Sequence, residues 1–254
     1  MKLQLIRRDR TQMNAVIGKL KEILQTSGNT VFFGGAGVST ESGIPDFRSA
    51  NGLYSGTYTY PPETILSHSF FLKHTEEFYR FYREKMLYPD AKPNKAHIAL
   101  AKMEEQGKLE AVITQNVDGL HTEAGSVNVM ELHGSALRNI CMSCGACYPL
   151  NKILQTQGVP LCSCGGIIKP DVVLYEENLD MSVMMQAGKA ISDAEVLIVG
   201  GTSLNVYPAA GMISNYRGKK LVLINKSETP YDYRANLIIR ESIGHTLWKA
   251  TATG

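Results

Sequence analysis

The chain has 254 residues, of which 44% are apolar and 20% are charged, and its formal net charge is +2. A chain of this length and composition can bury a large core, so we expect one large domain, alone or with a smaller appendage. The mild charge disfavours a nucleic-acid-binding protein, which needs a basic stripe, and no run approaches the ~18 apolar residues of a membrane-spanning helix.

The elements predicted along the chain alternate between helix and strand. Charges interrupt the N-terminal residues before a secretory apolar core forms, so we expect a cytoplasmic protein. Helical spacing of apolar residues predicts helices over residues 14–24 and 93–106, the second with Pro93 at its start and Gly107 after its end. Continuous apolar runs, typical of strands covered on both faces, predict strands at 31–33, 109–114, 196–199, 221–224 and 237–239. This order predicts an α/β fold with a doubly wound parallel, Rossmann-like sheet.

Two segments interrupt that alternation. Residues 40–85 are rich in Ser, Tyr, Phe and Pro and predict an irregular loop with short helices, and residues 138–168 carry all the cysteines. We predict that both segments are inserted into the sheet domain and together form a smaller zinc-binding and helical lobe. The sheet domain then comprises residues 1–39, 86–137 and 169–254.

The five cysteines lie close together, which fits a metal site better than a disulfide framework. Cys141 and Cys144 form a Cys-x-x-Cys pair, and Cys162 and Cys164 form a Cys-x-Cys pair, each beside a glycine. Four thiolates at this spacing can surround a tetrahedral Zn²⁺, and a site filled by protein ligands is structural rather than catalytic. Two alternatives stay open: Cys147 can replace one ligand, or the thiols can be buried and free.

A glycine turn follows the first predicted strand. Gly35 and Gly37 match the first two glycines of the dinucleotide-binding pattern Gly-x-Gly-x-x-Gly, but Thr40 stands where the third belongs. The acidic residue that would hold a ribose hydroxyl about twenty positions later is also missing. This turn alone is therefore a weak signal, and a hydride-transferring dehydrogenase is disfavoured.

Polar turns follow three other predicted strands. Residues 114–121 read TQNVDGLH, residues 200–210 read GGTSLNVYPAA, and Asn225 comes directly after Ile224. Parallel α/β sheets bind ligands at the carboxyl ends of their strands. Four polar turns at such ends predict one shared crevice.

Several motifs together resemble the sirtuin family of NAD⁺-dependent protein lysine deacylases, over residues 31–243. They are GAGVS at 35–39, GIPDFR at 43–48, TQNVD at 114–118, ELHG at 131–134, GTS at 201–203 and the cysteine pairs. The resemblance implies NAD as cofactor, a structural Zn²⁺ and acylated lysine side chains of proteins as substrate. It also explains the missing third glycine, because the chain leaves the turn early to build a loop that covers the nicotinamide.

The resemblance implies a set of residues that hold NAD. They are Gly35, Ala36, Gly37, Thr40, Phe47, Arg48, Gln115, Asn116, Val117, Asp118, His133, Gly201, Thr202, Ser203, Asn225 and Ile243. The implied catalytic residues are His133, Asn116 and Asp118, and the implied metal ligands are Cys141, Cys144, Cys162 and Cys164. The acyl-lysine peptide is expected to add as a strand beside Val173, Tyr175 and Val206.

The implied reaction is acyl transfer without reduction. The acyl oxygen attacks the ribose C1′ as nicotinamide leaves, and His133 removes a proton from a ribose hydroxyl, giving free lysine and O-acyl-ADP-ribose. A protein mono-ADP-ribosyltransferase on the same scaffold and a non-catalytic zinc-ribbon binding module stay open as alternatives.

The acyl preference is predicted from the stretch Tyr79-Arg-Phe-Tyr82. In sirtuins that prefer succinyl or malonyl groups, Tyr-x-x-Arg is expected here, with the arginine pairing the acyl carboxylate. In this chain Tyr82 takes the arginine position and Arg83 comes one residue later. We therefore expect acetyl or another uncharged acyl group.

Overall fold

The computed structural model describes the backbone of residues 2–252 and the side chains of residues 13–252. The strands are β1 (Thr30–Gly34), β2 (Ala111–Thr114), β3 (Val129–Glu131), β4 (Gly134–Cys141), β5 (Cys147–Pro149), β6 (Ile168–Val172), β7 (Val196–Gly200), β8 (Lys220–Ile224) and β9 (Leu237–Ile239). The helices are α1 (Lys2–Thr26), α2 (Pro62–Ile65), α3 (His68–Lys73), α4 (Thr75–Lys85), α5 (Lys95–Glu105), α6 (Leu120–Glu123), α7 (Leu150–Gln155), α8 (Met181–Asp193) and α9 (Ile243–Thr251).

The larger sheet has six parallel strands in the order β3-β2-β1-β7-β8-β9. From β1 the chain winds outward in one direction through β2 and β3, and from β7 it winds in the other direction through β8 and β9. The strand order therefore reverses between β1 and β7, where Val31 lies opposite Leu197. Open α/β sheets bind ligands at the carboxyl ends of the two strands that flank such a reversal.

Both faces of this sheet are covered. Phe32, Ile198 and Val222 point into a core that α1, α5 and α9 complete. Their neighbours Phe33 and Leu197 point into a second core that includes α8 and a 3₁₀ segment, Ala209–Asn215. Burial on both faces explains why the strands read as continuous apolar runs. The predicted doubly wound α/β fold is confirmed.

The smaller sheet is antiparallel, with strand order β5-β4-β6. Its core joins residues from both predicted insertions, because Phe71 and Tyr79 from the first pack with Ile153 and Ile168 from the second. The division of the chain into domains stays a prediction. Its boundaries at 137/138 and 168/169 fall inside β4 and at the start of β6, because both strands continue into the segment beside the larger sheet.

Several element ends differ from the sequence predictions. The helix predicted over residues 14–24 lies within the longer α1. Helix α5 begins two residues after Pro93, because the side chain of Asn94 accepts the backbone N–H of Ala96 and caps the helix. Strand β2 begins at Ala111, and β3 and α8 were not predicted. Among the described residues, each helix is too short or too polar to cross a bilayer.

Candidate active site

The two glycine turns after β1 and β7 pack against each other through their backbones. The N–H of Gly37 donates to the carbonyl of Gly201 at 2.7 Å. A Cβ on Gly35 would lie 2.8 Å from Cβ of Thr202, and one on Gly37 would lie 2.7 Å from Cα of Gly201. Gly201 itself has φ +61°, a conformation that favours glycine. Because side chains are excluded here, a ligand such as a diphosphate can approach the backbone of both turns closely.

Ser39 connects two of the predicted catalytic residues. Its hydroxyl donates to Oδ2 of Asp118 at 2.6 Å and accepts from Nδ2 of Asn116 at 3.1 Å. The other carboxylate oxygen of Asp118 accepts the backbone N–H of Leu120, the first residue of α6, at 2.9 Å. These bonds fix the amide of Asn116 and the charge of Asp118 at the carboxyl end of β2. In the sequence Ser39 is only one residue of the GAGVS motif and suggests no role of its own. Only the fold brings it to residues 116 and 118.

His133 is oriented by the backbone of Gln115. Nδ1–H of His133 donates to the Gln115 carbonyl at 2.9 Å, so Nε2 is the nitrogen that is free to accept a proton. Burial lowers the pKa of His133, while the bond to Gln115 partly opposes that shift. A lowered pKa keeps the imidazole neutral at pH 7, as a general base requires.

The side chain of Gln115 is aimed into the same region. Its Oε1 accepts from the hydroxyl of Thr202 at 2.9 Å, which connects the turns after β2 and β7. Within residues 13–252, its buried Nε2 has no hydrogen-bond partner. A buried amide donor without a partner is costly, and a ligand oxygen such as one from a ribose would satisfy it. This donor, together with the cradle of glycines, fits NAD.

A cavity of about 240 Å³ lies between the two sheets. Its lining includes Ile44, Pro45 and the following predicted residues: Ala36, Phe47, Asn116, Val117 and Asp118. Apolar walls with a few fixed polar groups are typical of small-molecule sites. Phe47 lies in the loop over residues 36–55, which we call the covering loop. The cavity thus brings together several of the residues that the resemblance assigns to the nicotinamide end.

The other predicted NAD residues lie outside the lining of this cavity. Thr40 is exposed and donates to the Gly37 carbonyl at 3.0 Å, and the Arg48 guanidinium lies over the ring of Tyr54. Ser203 is partly buried beside Thr202. Asn225 follows β8 and binds Ser227, whereas Ile243 is buried in the core against Gly200. The structure gives the positions of these residues, and their roles toward NAD stay predictions.

Two of the predicted substrate residues, Val173 and Tyr175, lie in the segment that follows β6, and the third, Val206, lies in a different loop. The N–H of Val173 donates to the His133 carbonyl at 3.0 Å, which puts this segment directly beside the predicted base. The hydroxyl of Tyr175 meets that of Tyr54 at 2.6 Å. Val206 is half-buried in the loop after β7, where its carbonyl accepts the N–H of Ala210. Tyr54 was not predicted, because 121 positions separate it from its partner.

Four cysteines meet at one end of the smaller sheet. The sulfur atoms of Cys141, Cys144, Cys162 and Cys164 all lie within 4.8 Å of one another. Tetrahedral Zn²⁺ with Zn–S bonds of ~2.3 Å requires sulfur separations of about 3.8 Å, so these residues fit zinc. The N–H of Cys164 and the hydroxyl of Tyr148 lower the pKa of Cys162 to about 5, which favours the thiolate that binds metal. Cys147 is exposed and lies outside the group.

Comparison with known proteins finds a family model, relatives and solved structures that resemble this chain. The model of the Sir2 family matches residues 35–208. A relative from Clostridium perfringens (strain 13 / Type A), named an NAD-dependent protein deacetylase, is 62% identical over 241 residues, which cover 93% of this chain and 99% of that relative. A solved Sir2 structure with deacetylated p53 peptide and 3′-O-acetyl-ADP-ribose is 41% identical, with a TM-score of 0.83, and covers 92% of this chain and 96% of that one.

A second solved structure, a Sir2 complex with p53 peptide and NAD⁺, is 42% identical with a TM-score of 0.79 and covers 90% of this chain and 94% of that one. These likenesses extend over both sheets and agree with the motifs at residues 35–48, 114–118, 131–134 and 201–203. The predicted resemblance is confirmed, and the chain belongs to the Sir2 family.

Proposed function

We propose that this chain is an NAD-dependent protein lysine deacylase that releases nicotinamide and transfers the acyl group to ADP-ribose. One observation carries the proposal. His133, its Nδ1 bonded to the Gln115 carbonyl, lies between the glycine turns and the edge that begins at Val173. A general base so placed can serve a dinucleotide on one side and a peptide on the other. The relatives named as deacetylases support the same assignment.

His133 acts as the base. Because Nδ1 donates to Gln115, the lone pair for proton transfer is on Nε2, and burial keeps that lone pair available near pH 7. We infer that Nε2 takes a proton from a ribose hydroxyl. A glycosyl transfer to a protein nucleophile does not need this step, so His133 favours deacylation over mono-ADP-ribosyl transfer.

Asn116 and Asp118 serve the ribose and nicotinamide end. When bound, NAD supplies an electrophilic ribose carbon with nicotinamide as its leaving group. The Ser39 hydroxyl holds both side chains in position, so they need no reorganisation as positive charge develops nearby. Phe47 and Pro45 supply an apolar cover that keeps water from that carbon.

The zinc site has a structural role in this proposal. Its four protein ligands leave no position for water, and it lies at the end of the smaller sheet rather than beside His133. The free cysteines also support a cytoplasmic location, because reducing compartments keep thiols available for metal. Direct binding of nucleic acid is not part of the proposal, given the mild net charge of +2.

The acyl-lysine substrate we propose carries an acetyl or similar uncharged group. Tyr82 is fully buried and stacks on Phe78 with ring centroids 5.4 Å apart. The Arg83 guanidinium donates to the carbonyls of Ile153 and Gly158, within the smaller lobe. Both side chains are thus engaged away from the cavity, so neither is placed to pair with an acyl carboxylate, which supports an uncharged acyl group.

The test is nicotinamide release with NAD and a lysine peptide that is acetylated, succinylated or unmodified. We expect release only with acylated peptide, faster with acetyl than with succinyl. Release that labels protein without deacylation would instead indicate mono-ADP-ribosyl transfer, and no release would favour a binding module.

His133→Ala is expected to lower deacylation by roughly 10²- to 10⁴-fold, the usual contribution of a general base. His245→Ala is the matched control, because His245 is exposed on α9. Equal loss in both variants, or full activity in the first, would remove His133 from this role.

A further inference from the structure

The second half of the covering loop, residues 46–55, folds back on itself. The N–H of Leu53 donates to the Asp46 carbonyl at 2.7 Å, and the N–H of Tyr54 donates to the Phe47 carbonyl at 2.9 Å. Gly52 allows this approach, because a Cβ there would lie 2.8 Å from the carbonyl oxygen of Asp46. Tyr54 is therefore held opposite Phe47 by the backbone.

The ring of Tyr54 contacts three residues that the sequence assigns to the site. The edge of Phe47 meets it with centroids 5.6 Å apart and planes at 67°, a favourable aromatic geometry. The guanidinium carbon of Arg48 lies 5.6 Å from the same centroid, and the hydroxyl lies 2.6 Å from that of Tyr175. One side chain thus touches two predicted NAD residues and one predicted substrate residue.

The segment that carries Tyr175 is itself well anchored. Its N–H donates to the Leu66 carbonyl and its carbonyl accepts the N–H of His68, both at 3.0 Å. The carboxylate of Glu176 accepts from the N–H and the hydroxyl of Ser69. The ring of Tyr175 is nevertheless 38% exposed, so it is free to meet a peptide. The hydroxyl pair therefore joins an anchored, exposed substrate edge to the loop that carries Phe47.

We propose that Tyr54 is a positioning residue through which the acyl-lysine peptide and NAD bind cooperatively. A peptide strand beside Val173 and Tyr175 restricts the Tyr175 ring, and the directional hydroxyl bond then fixes Tyr54 with Phe47 and Arg48 against the nicotinamide end. Each ligand thus lowers the ordering cost of the other. This inference rests on the proposed deacylase function.

The protonation of Tyr54 agrees with such a bond. Burial raises the pKa of Tyr54, and the bond to Tyr175 raises it further, so the hydroxyl stays protonated throughout the physiological range. The coupling between the two ligands is therefore expected to be independent of pH between about 6 and 9, since an unperturbed tyrosine has a pKa of ~10.

The experiment measures peptide affinity with and without a non-hydrolysable NAD analogue, which keeps the nicotinamide but cannot react, by fluorescence anisotropy of a labelled acetyl-lysine peptide. In the unmodified protein the analogue is expected to tighten peptide binding. Tyr54→Phe removes one oxygen and is expected to reduce that tightening by about fivefold, the worth of one hydrogen bond. Tyr175→Phe is expected to do the same, and the double variant no more than either alone. Tyr233→Phe, at a side chain 83% exposed, is the matched control.

Unchanged tightening in Tyr54→Phe, additive losses in the double variant, or no tightening in the unmodified protein would overturn the inference. Failure of the proposed function has a different signature, namely no peptide-dependent nicotinamide release from the unmodified protein. The kinetic counterpart is a raised KM for NAD with a nearly unchanged kcat, whereas a general loss of folding would lower both kcat and the melting temperature.

Discussion

The two walls of the site are built in different ways. On the large-lobe wall, the turns at Gly35–Gly37 and Gly200–Gly201 meet backbone to backbone, and hardly any side chain separates them. On the small-lobe wall, the covering loop meets the segment predicted to bind substrate through side chains, chiefly the hydroxyls of Tyr54 and Tyr175. The backbone of the first wall has little room to move, whereas the second wall depends on individual side-chain hydrogen bonds that can form or break.

This difference extends to how each wall is supported. The first half of the covering loop is fixed to the large lobe, because Glu41 accepts the N–H of Gly244 at α9 and the Asn94 amide donates to the Val38 carbonyl. Its second half rests on a lobe whose sheet ends at the four cysteines. A rigid wall suits the diphosphate of NAD, which is the same in every NAD molecule. Adjustable side-chain contacts suit the proposed ordering of the covering loop when the peptide binds.

Removing zinc should produce the largest difference between the two walls, because the small-lobe wall should unfold while the large-lobe wall stays folded. Structural zinc contributes roughly 10–16 kcal/mol of binding free energy to folding, so chelation or Cys141→Ser should unfold the smaller lobe and abolish deacylation. Limited proteolysis should cut residues 138–168 first, with the parallel strands cut later. Cys147→Ser is the matched control, since Cys147 lies outside the sulfur group. Equal sensitivity of both variants would contradict the assigned ligand set.

A methyl group on the backbone-built wall should have the next largest effect. In Gly37→Ala the added carbon would lie 2.7 Å from Cα of Gly201, and neither backbone can retreat. We expect a loss of about 1–3 kcal/mol in the free energy of unfolding and at least a tenfold weaker affinity for ADP-ribose by calorimetry.

Gly18→Ala is the control for that variant. Within the described part of the chain, a Cβ at Gly18 would meet no atom within 4 Å, and the residue lies inside α1. It should raise stability by up to about 1 kcal/mol, because alanine favours helix. Tight ADP-ribose binding by a well-folded Gly37→Ala protein would show that the two turns do not form the diphosphate site.

The smallest of the expected effects is a shift in the pH dependence of activity. Burial lowers the pKa of His133, so the neutral base persists below the ordinary value of ~6.5 and is lost only as pH falls through the lowered pKa. The acid limb of kcat/KM should therefore have its midpoint below about 6.5. A midpoint above that value would mean that a negative charge, not burial, controls this histidine.

Circular dichroism over the same pH range is the control that detects acid unfolding. Burial lowers the pKa of His121 to about 3 in the fold, whereas in the unfolded chain it titrates near ~6.5. The unfolded state thus binds more protons in between, so the stability from this neutral residue is complete above pH ~6.5 and declines as pH falls. The activity limb reports His133 only where the dichroism is unchanged.

Much of the large lobe could be predicted from the sequence because its signals are local. Buried parallel strands read as apolar runs, and the motifs at their ends mark the turns that meet between β1 and β7. By contrast, β3 has three half-buried residues and no distinctive pattern, so its place at the sheet edge follows only from pairing with β2. The small sheet was hidden for a similar reason, because β5 has only three residues, and the longer β4 has no regular alternation and changes register between Ser135 and Asn139.

Within the site, backbone-built features were easier to predict than side-chain partnerships. Glycines at 35, 37 and 201 predict a close approach of two backbone segments, because glycine has no side chain to prevent it. The bond of Ser39 to Asp118 and that of Tyr54 to Tyr175 join positions 79 and 121 residues apart, and neither serine nor tyrosine has a spacing that signals such a partner. The roles given to the site residues, Thr40, Ser203, Asn225 and Ile243 among them, all remain predictions.

The central claim is that the imidazole of His133 faces the ribose of a dinucleotide held between the two walls. A crystal structure with a non-hydrolysable NAD analogue and an acetyl-lysine peptide tests it most directly. We predict that Nε2 of His133 lies about 2.6–3.2 Å from a ribose hydroxyl, with the nicotinamide under Phe47. A ribose more than one water layer from Nε2, or a dinucleotide bound outside the two glycine turns, would contradict the account.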